Sequence, residues 1–129
     1  MDAQRDLVAR IIKMFSTGDT SAAASVFATE YLDHQGLDEP VKGPGGFEQV
    51  VAAARRPYED LTVNIVDVVA EGEKIAVRLR WNGRHGGTIV VRETIDLLRL
   101  ENGKVVEHWG SRLWSSEESE RSPPSTRAM

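Results

Sequence analysis

The stretch TIDLLRLENGKVVEHWG, residues 94–110, decides the fold. Two runs rich in β-branched and aliphatic residues, 88–100 and 104–114, flank Asn102-Gly103, the dipeptide that most strongly favours a two-residue hairpin turn. Such a turn sets Glu101 opposite Lys104. The same register sets Leu97 opposite His108 and Asp96 opposite Trp109.

The residues on the two faces of this hairpin indicate what each face contacts. In that register one face carries Leu97 and His108, the other Asp96 and Trp109, and both faces are half apolar. A sheet with one face in water would alternate more cleanly. We therefore expect one face to line a cavity and the other to meet a second subunit, in a homodimer joined through the sheet.

The rest of the chain extends this hairpin into an α+β fold. Two more β-rich runs, 61–72 and 74–81, precede it, separated by glycine-containing turns, and predict an antiparallel meander. Helical periodicity predicts three helices within 3–19, 21–31 and 46–56. We expect three N-terminal helices packed on a curved, mostly antiparallel sheet of four to six strands, enclosing a cone-shaped cavity.

The length and composition of the chain exclude several classes of function. The 129 residues fit one domain, predicted over 1–114, and the Ser/Pro/Glu-rich segment 115–129 is predicted to be a disordered tail. A net charge of −4 without a basic cluster argues against nucleic-acid or anionic-membrane partners, and the absence of cysteine excludes thiolate chemistry. Because there is neither a long apolar run nor a signal peptide, a cytoplasmic location is expected.

Nearly the whole chain from the first predicted helix to Trp114 resembles a known family, most specifically in three segments. YLDH (31–34), AVRLRWNGRH (76–85) and LENGKVVEHW (100–109) are similar to the SnoaL-like polyketide cyclases of the NTF2-like superfamily. The resemblance implies a cone-shaped α+β fold. It also implies acid/base chemistry without a cofactor, such as cyclisation or isomerisation, on a hydrophobic polyketide-type intermediate. The same fold hosts small epoxide hydrolases and non-catalytic binding modules, so both remain alternatives.

Position 110 departs from the family pattern. The resemblance implies an aspartate directly after the His-Trp pair, acting as general acid/base, but this chain has Gly110. We therefore expect another side chain to transfer the proton. Asp96 is the nearest carboxylate by strand pairing, and burial would make it more basic. His34 is the other candidate.

Four residues are predicted catalytic candidates: His34, Asp96, Asp33 and His108. The resemblance implies that the histidine of YLDH points into the cavity, where an imidazole can exchange protons near neutral pH. The alternatives are structural. Asp33 would cap a turn, His34 would bind backbone, Asp96 would be solvated or at an interface, and His108 would be a satisfied core residue. For epoxide opening, Asp33 or Asp38 would work with Asp96.

Aromatic residues are the candidates for substrate binding. A wall for an extended or polycyclic ligand is predicted from Tyr31, Phe47, Trp81, Trp109 and Trp114, although each is also compatible with ordinary core packing. No two histidines have a metal-ligand spacing, so no metal site is predicted.

Overall fold

The structure is a computed structural model that describes residues 2–34 and 39–115, apart from the side chains of Asp2 and of 111–115. The elements in chain order are α1 (Asp2–Thr17), α2 (Ala23–Val26), β1 (Phe27–Asp33), β2 (Val41–Lys42), α3 (Gly43–Arg55), β3 (Glu59–Glu71), β4 (Lys74–His85), β5 (Thr88–Glu101) and β6 (Lys104–Ser115). Apart from Ser115, the predicted tail 115–129 lies outside the described residues.

One sheet holds all six of these strands, in the spatial order β2-β1-β6-β5-β4-β3. Strands β3 to β6 form the predicted antiparallel meander, and β1 pairs in parallel with β6. The turn between β5 and β6 is the predicted Asn102-Gly103 turn, with φ angles of 52° and 79°. Positive φ at both positions defines the turn type whose twist matches that of paired strands.

The prediction of three helices ahead of the sheet is wrong in two places. Helix α3 follows β1 and β2, and α2 ends at Val26, so Phe27–Asp33 is a strand. The alanines of 22–24 favour a helix locally, but β1 forms hydrogen bonds to β2 on one side and to β6 on the other. This tertiary pairing outweighs the local preference, which is worth only tenths of a kcal/mol per residue.

The hairpin register also differs from the prediction, because β6 carries a bulge. Leu100 pairs with Val105, but Arg99 pairs with Glu107, which leaves Val106 as an extra residue. From Arg99 to Thr94 every partner shifts by one position: His108 lies opposite Leu98, and Gly110 lies opposite Asp96. A second irregularity follows, where Glu93 pairs with Trp114. A bulge of this kind moves following side chains to the other face. His108 and Asp96 therefore share one face, where the sequence had separated them.

Helices α1 and α3 cover the face of the sheet that carries Asp96, called here the inner face. Helix α1 ends as predicted at Gly18, whose N–H bonds to the carbonyl of Met14 at a φ of 81°. Between helices and sheet, Phe47 stacks on Phe27 at 4.0 Å and meets Phe15 edge-on at 5.4 Å. The outer face of the sheet carries ion pairs, such as Arg80 with Glu93.

Candidate active site

A cavity of about 430 Å³ lies between the helices and the inner face. This volume is within the usual range for small-molecule sites. Most of the lining is aliphatic or aromatic, including Phe15, Phe27 and Phe47. The side chains of the lining that can hydrogen-bond or carry charge are Tyr31, Tyr58, Trp81, Arg92, Thr94, Asp96 and His108.

His108 is the centre of a buried polar network. Its Nδ1 lies 3.1 Å from Oδ2 of Asp33, and its Nε2 lies 2.8 Å from Oδ1 of Asp96. The side chains are 12% exposed for His108, 0% for Asp33 and 8% for Asp96. The imidazole therefore bridges two carboxylates that are almost completely removed from solvent.

Hydroxyl and indole groups extend this network at both ends. The Tyr31 hydroxyl donates to Oδ2 of Asp33 at 2.5 Å. The Thr94 hydroxyl donates to Oδ2 of Asp96 at 2.8 Å and accepts from Nε1–H of Trp81 at 3.0 Å. The chain of hydrogen bonds thus crosses β1, β6, β5 and β4 and fixes the orientation of each polar group.

The two carboxylates determine the charge of the imidazole. Burial alone would lower the pKa of His108, but hydrogen bonds from the ring to Asp33 and Asp96 outweigh it and raise that pKa to about 9. His108 is therefore an imidazolium at neutral pH, with an N–H on each nitrogen, as its two acceptors require. Burial and the neighbouring Asp33 carboxylate also raise the pKa of Tyr31, which keeps its phenol protonated.

Strand pairing explains why these residues meet. Tyr31 and Asp33 are two residues apart on β1 and so point to the same face. Asp33 is the direct partner of His108 in the parallel pairing, and the β6 bulge turns His108 towards Asp96. Of the predicted catalytic residues, Asp96 and His108 line the cavity, whereas Asp33 lies behind the imidazole.

His34 does not line the cavity, so the prediction that it points inward is wrong. Its backbone N–H bonds to the carbonyl of His108 and continues the β1–β6 pairing, so its side chain points away from that of Asp33. Its Nε2 lies 2.8 Å from Oε2 of Glu107. The ring stacks on Trp109 on the outer face, with centroids 5.2 Å apart.

The predicted aromatic wall forms in part. Tyr31, Phe47 and Trp81 line the cavity, but Trp109 lies on the outer face, because the bulge reverses the face that the sequence assigned to it. The side chain of Trp114 and residue Asp38 lie outside the part of the chain that the structure describes.

Three polar residues of the cavity, Tyr58, Arg92 and Thr94, were missed by the sequence reasoning. Arg92 and Thr94 alternate with Asp96 along β5 and therefore share its face. Their spacing from Asp96 was the signal that could have found them. The guanidinium of Arg92 lies over the rings of Trp81 and Tyr58, with Cζ at 4.9 and 5.3 Å from the ring centroids.

Among residues 2–34 and 39–115, no group of three or more His, Asp or Glu side chains is arranged to hold a metal ion. Within the same residues, no helix has the length and apolar character needed to cross a membrane.

Comparison with known proteins finds related sequences over most of the chain. Aklanonic acid methyl ester cyclase DnrD of Streptomyces peucetius is 28% identical over an alignment of 120 residues that covers 84% of this chain and 83% of that protein. The corresponding cyclase DauD of Streptomyces sp. strain C5 is also 28% identical over 120 residues, covering 84% of this chain and 74% of its own length.

Solved structures show the same fold. A candidate polyketide cyclase from Bacillus cereus superposes with a TM-score of 0.75 at 22% identity, covering 82% of this chain and 71% of that one. IdmH of Streptomyces antibioticus, another candidate polyketide cyclase, superposes with a TM-score of 0.71 at 20% identity, covering 88% of this chain and 92% of that one. The architecture is the NTF2-like α+β fold with a curved six-stranded sheet. The sequence profile of the SnoaL-like polyketide cyclases matches residues 5–112, and the chain belongs to that family.

Proposed function

We propose that this protein is a cofactor-independent enzyme that uses Asp96 as a general base on a hydrophobic, polyketide-type intermediate. The observation that carries the proposal is that Asp96 is the single carboxylate among the described residues lining an otherwise largely apolar cavity. Proton transfer by one positioned group typically contributes about 10²- to 10⁴-fold in rate.

Ring closure by an aldol step fits this arrangement. The Asp96 carboxylate takes a proton from a carbon next to a carbonyl group, and the resulting enolate forms a carbon–carbon bond with a second carbonyl carbon. The alkoxide produced then takes a proton back from the Asp96 carboxylic acid. If the enolate is instead protonated at another carbon, the same base catalyses an isomerisation.

Strand pairing supports the transfer of the acid/base role from position 110 to Asp96. Gly110 is the cross-strand partner of Asp96, and directly opposed residues share a face. The carboxylate of Asp96 is thus supplied from β5, at the level where the family pattern places one on β6. This chain keeps a carboxylate at that level although it lacks the usual aspartate.

The other members of the network have supporting roles. The His108 imidazolium and the Thr94 hydroxyl each donate to one oxygen of Asp96, which fixes the direction in which the carboxylate faces. Asp33 holds the other side of the imidazole and is a positioning residue, since it does not line the cavity. A buried imidazolium also supplies positive charge close to a developing enolate or alkoxide.

Epoxide opening is less well supported. That reaction requires a carboxylate that activates water and a second acid that faces it. Asp33 and Asp96 are separated by the His108 ring, and only Asp96 of this pair lines the cavity. A non-catalytic binding module remains the alternative of a different class, and it requires only the aromatic lining.

The decisive experiment compares Asp96→Asn with His34→Ala. The substrate tested is aklanonic acid methyl ester, the compound in the names of the two related cyclases. Ring closure is followed by chromatography with mass spectrometry, and exchange of the acidic C–H in deuterated water by NMR. Asp96→Asn should lower both rates by roughly 10²-fold or more. His34→Ala removes an imidazole outside the cavity and should leave both rates within a few-fold of the original protein.

Two outcomes count against the proposal. The first is an Asp96→Asn variant that unfolds at the same temperature as the original protein and closes the ring and exchanges the C–H at the same rates. Asp96 would then not be the base. Tight binding of the ester by the original protein, without exchange or closure, would favour the non-catalytic binding module.

We also propose a homodimer joined through the outer face of the sheet. Trp109 and Ile95 are 36% and 42% exposed there, and Leu97 lies between them as the cross-strand partner of Trp109. Exposed aromatic and aliphatic side chains that lie together are typical of protein–protein interfaces.

A further inference from the structure

The inner face of β5 carries a second charged group, which the proposed proton transfer does not use. Arg92 lies four residues before Asp96, and Thr94 lies between them on the same face. Four residues of extended strand span about 13 Å. Arg92 therefore lies in the same cavity as Asp96 but at a distance that suits the opposite end of an extended ligand.

The surroundings of Arg92 hold its guanidinium in place, and none of the described side chains forms an ion pair with it. Arg92 is the cross-strand partner of Trp81, and its guanidinium lies over the rings of Trp81 and Tyr58. Its Nε–H is buried and has no acceptor among the described residues. Aromatic rings contact the flat face of a guanidinium, so its N–H donors at the edge stay available to a planar acceptor such as a carboxylate.

The two ends of the cavity differ in charge. Asp96, the carboxylate that acts as the base in the proposed function, lies at one end of the cavity, whereas the guanidinium of Arg92 lies at the other end. An anionic oxygen would be repelled near Asp96 and attracted near Arg92. A flat ligand with one anionic end thus has a single favoured orientation, with its uncharged end beside Asp96.

We propose that Arg92 binds an anionic oxygen, a carboxylate or an ionised phenol, at the end of an extended aromatic substrate remote from the carbon that Asp96 deprotonates. This inference rests on the proposed function for the identity of the reacting carbon. Recognition by Arg92 is nevertheless a binding property and is measured without turnover. In this arrangement the arginine sets the direction in which the substrate enters and the length that it must have.

The test measures binding of matched anthraquinone probes through quenching of tryptophan fluorescence, since Trp81 lines the cavity. One probe carries a carboxylate and the other a carboxamide at the same ring position. Arg92→Met should weaken binding of the carboxylate roughly 10- to 100-fold, the usual worth of a charge-assisted hydrogen bond, and should change carboxamide binding by less than about threefold. A hydroxyanthraquinone, measured as its anion, shows whether a phenolate is bound in the same way.

Arg84→Met is the matched control. Arg84 is an exposed arginine on the outer face of β4, and its loss should leave binding of both probes unchanged. Arg92→Lys keeps the charge but loses the planar guanidinium, so it should restore part of the preference for the carboxylate. The Arg92 variants are compared by binding alone, without turnover, which separates failure of the acid/base proposal from failure of this one.

The inference is overturned if Arg92→Met weakens the carboxylate and the carboxamide equally, because Arg92 would then only support the aromatic rings. It is also overturned if the original protein binds the two probes with equal affinity.

Discussion

The charge on His108 leads to a prediction about stability and pH. Its pKa is raised from 6.5 to about 9 in the folded protein because two carboxylates accept hydrogen bonds from the ring, despite burial. A group whose pKa is higher in the folded state stabilises that state fully below its unfolded pKa. The stabilisation is lost as the pH rises through the folded pKa. The shift corresponds to about 3 kcal/mol of unfolding free energy, lost between about pH 6.5 and about pH 9.

The measurement is urea unfolding at a series of pH values, followed by tryptophan fluorescence. Between about pH 6 and about pH 10 the free energy of unfolding should fall by about 3 kcal/mol more in the original protein than in the His108→Gln variant. The variant should be less stable at neutral pH, since it leaves two buried carboxylates without their shared cation. His85→Gln, which changes a histidine outside the network, should keep the pH dependence of the original protein.

A parallel pH profile for the original protein and His108→Gln would refute this reasoning. If the variant does not fold, NMR titration of the His108 ring in the original protein gives the same answer. A ring that loses its proton near pH 6.5 would show that the two carboxylates do not hold the charge.

Two further predictions concern position 110 and the outer face. Gly110→Asp alone should not raise turnover, because its carboxylate would share a face with Asp96 and repel it. The double variant Asp96→Asn, Gly110→Asp should turn over at least about tenfold faster than Asp96→Asn alone. Equal rates for these two variants would argue against a shared position for the two acids. Light scattering at micromolar concentration should show a dimer that Trp109→Glu converts to a monomer, because a charge would replace an exposed indole on the outer face. A monomeric original protein would refute the interface.

Local signals were sufficient for the meander. The Asn102-Gly103 turn and the β-rich runs around it predict strands β3 to β6, and the structure has them. Strand β1 could not be found in this way, because it is stabilised by β2 and β6, which are distant in sequence. A segment that follows a run of alanines has no local feature that reports such partners.

The candidate site shows the same limit. The sequence singled out Asp33, Asp96 and His108, and the structure joins them in one network. The sequence also placed Asp96 and His108 on opposite faces, because a bulge leaves no clear mark in the residues that form it. His34 was chosen by resemblance, but its side chain points away from that of Asp33, its neighbour on an extended strand.

The bulge at Val106 also affects how this family can change by insertion and deletion. The extra residue acts on the strand much as an inserted base acts on a reading frame, since residues 107–112, up to the next irregularity, are presented to the opposite side. Deleting Val106 would leave the composition of the strand almost unchanged but would turn His108 outward and Trp109 inward. Alignments that place a gap in this hairpin therefore carry chemical information: sequences that keep the His-Trp pair but differ in length here would present different side chains to the substrate.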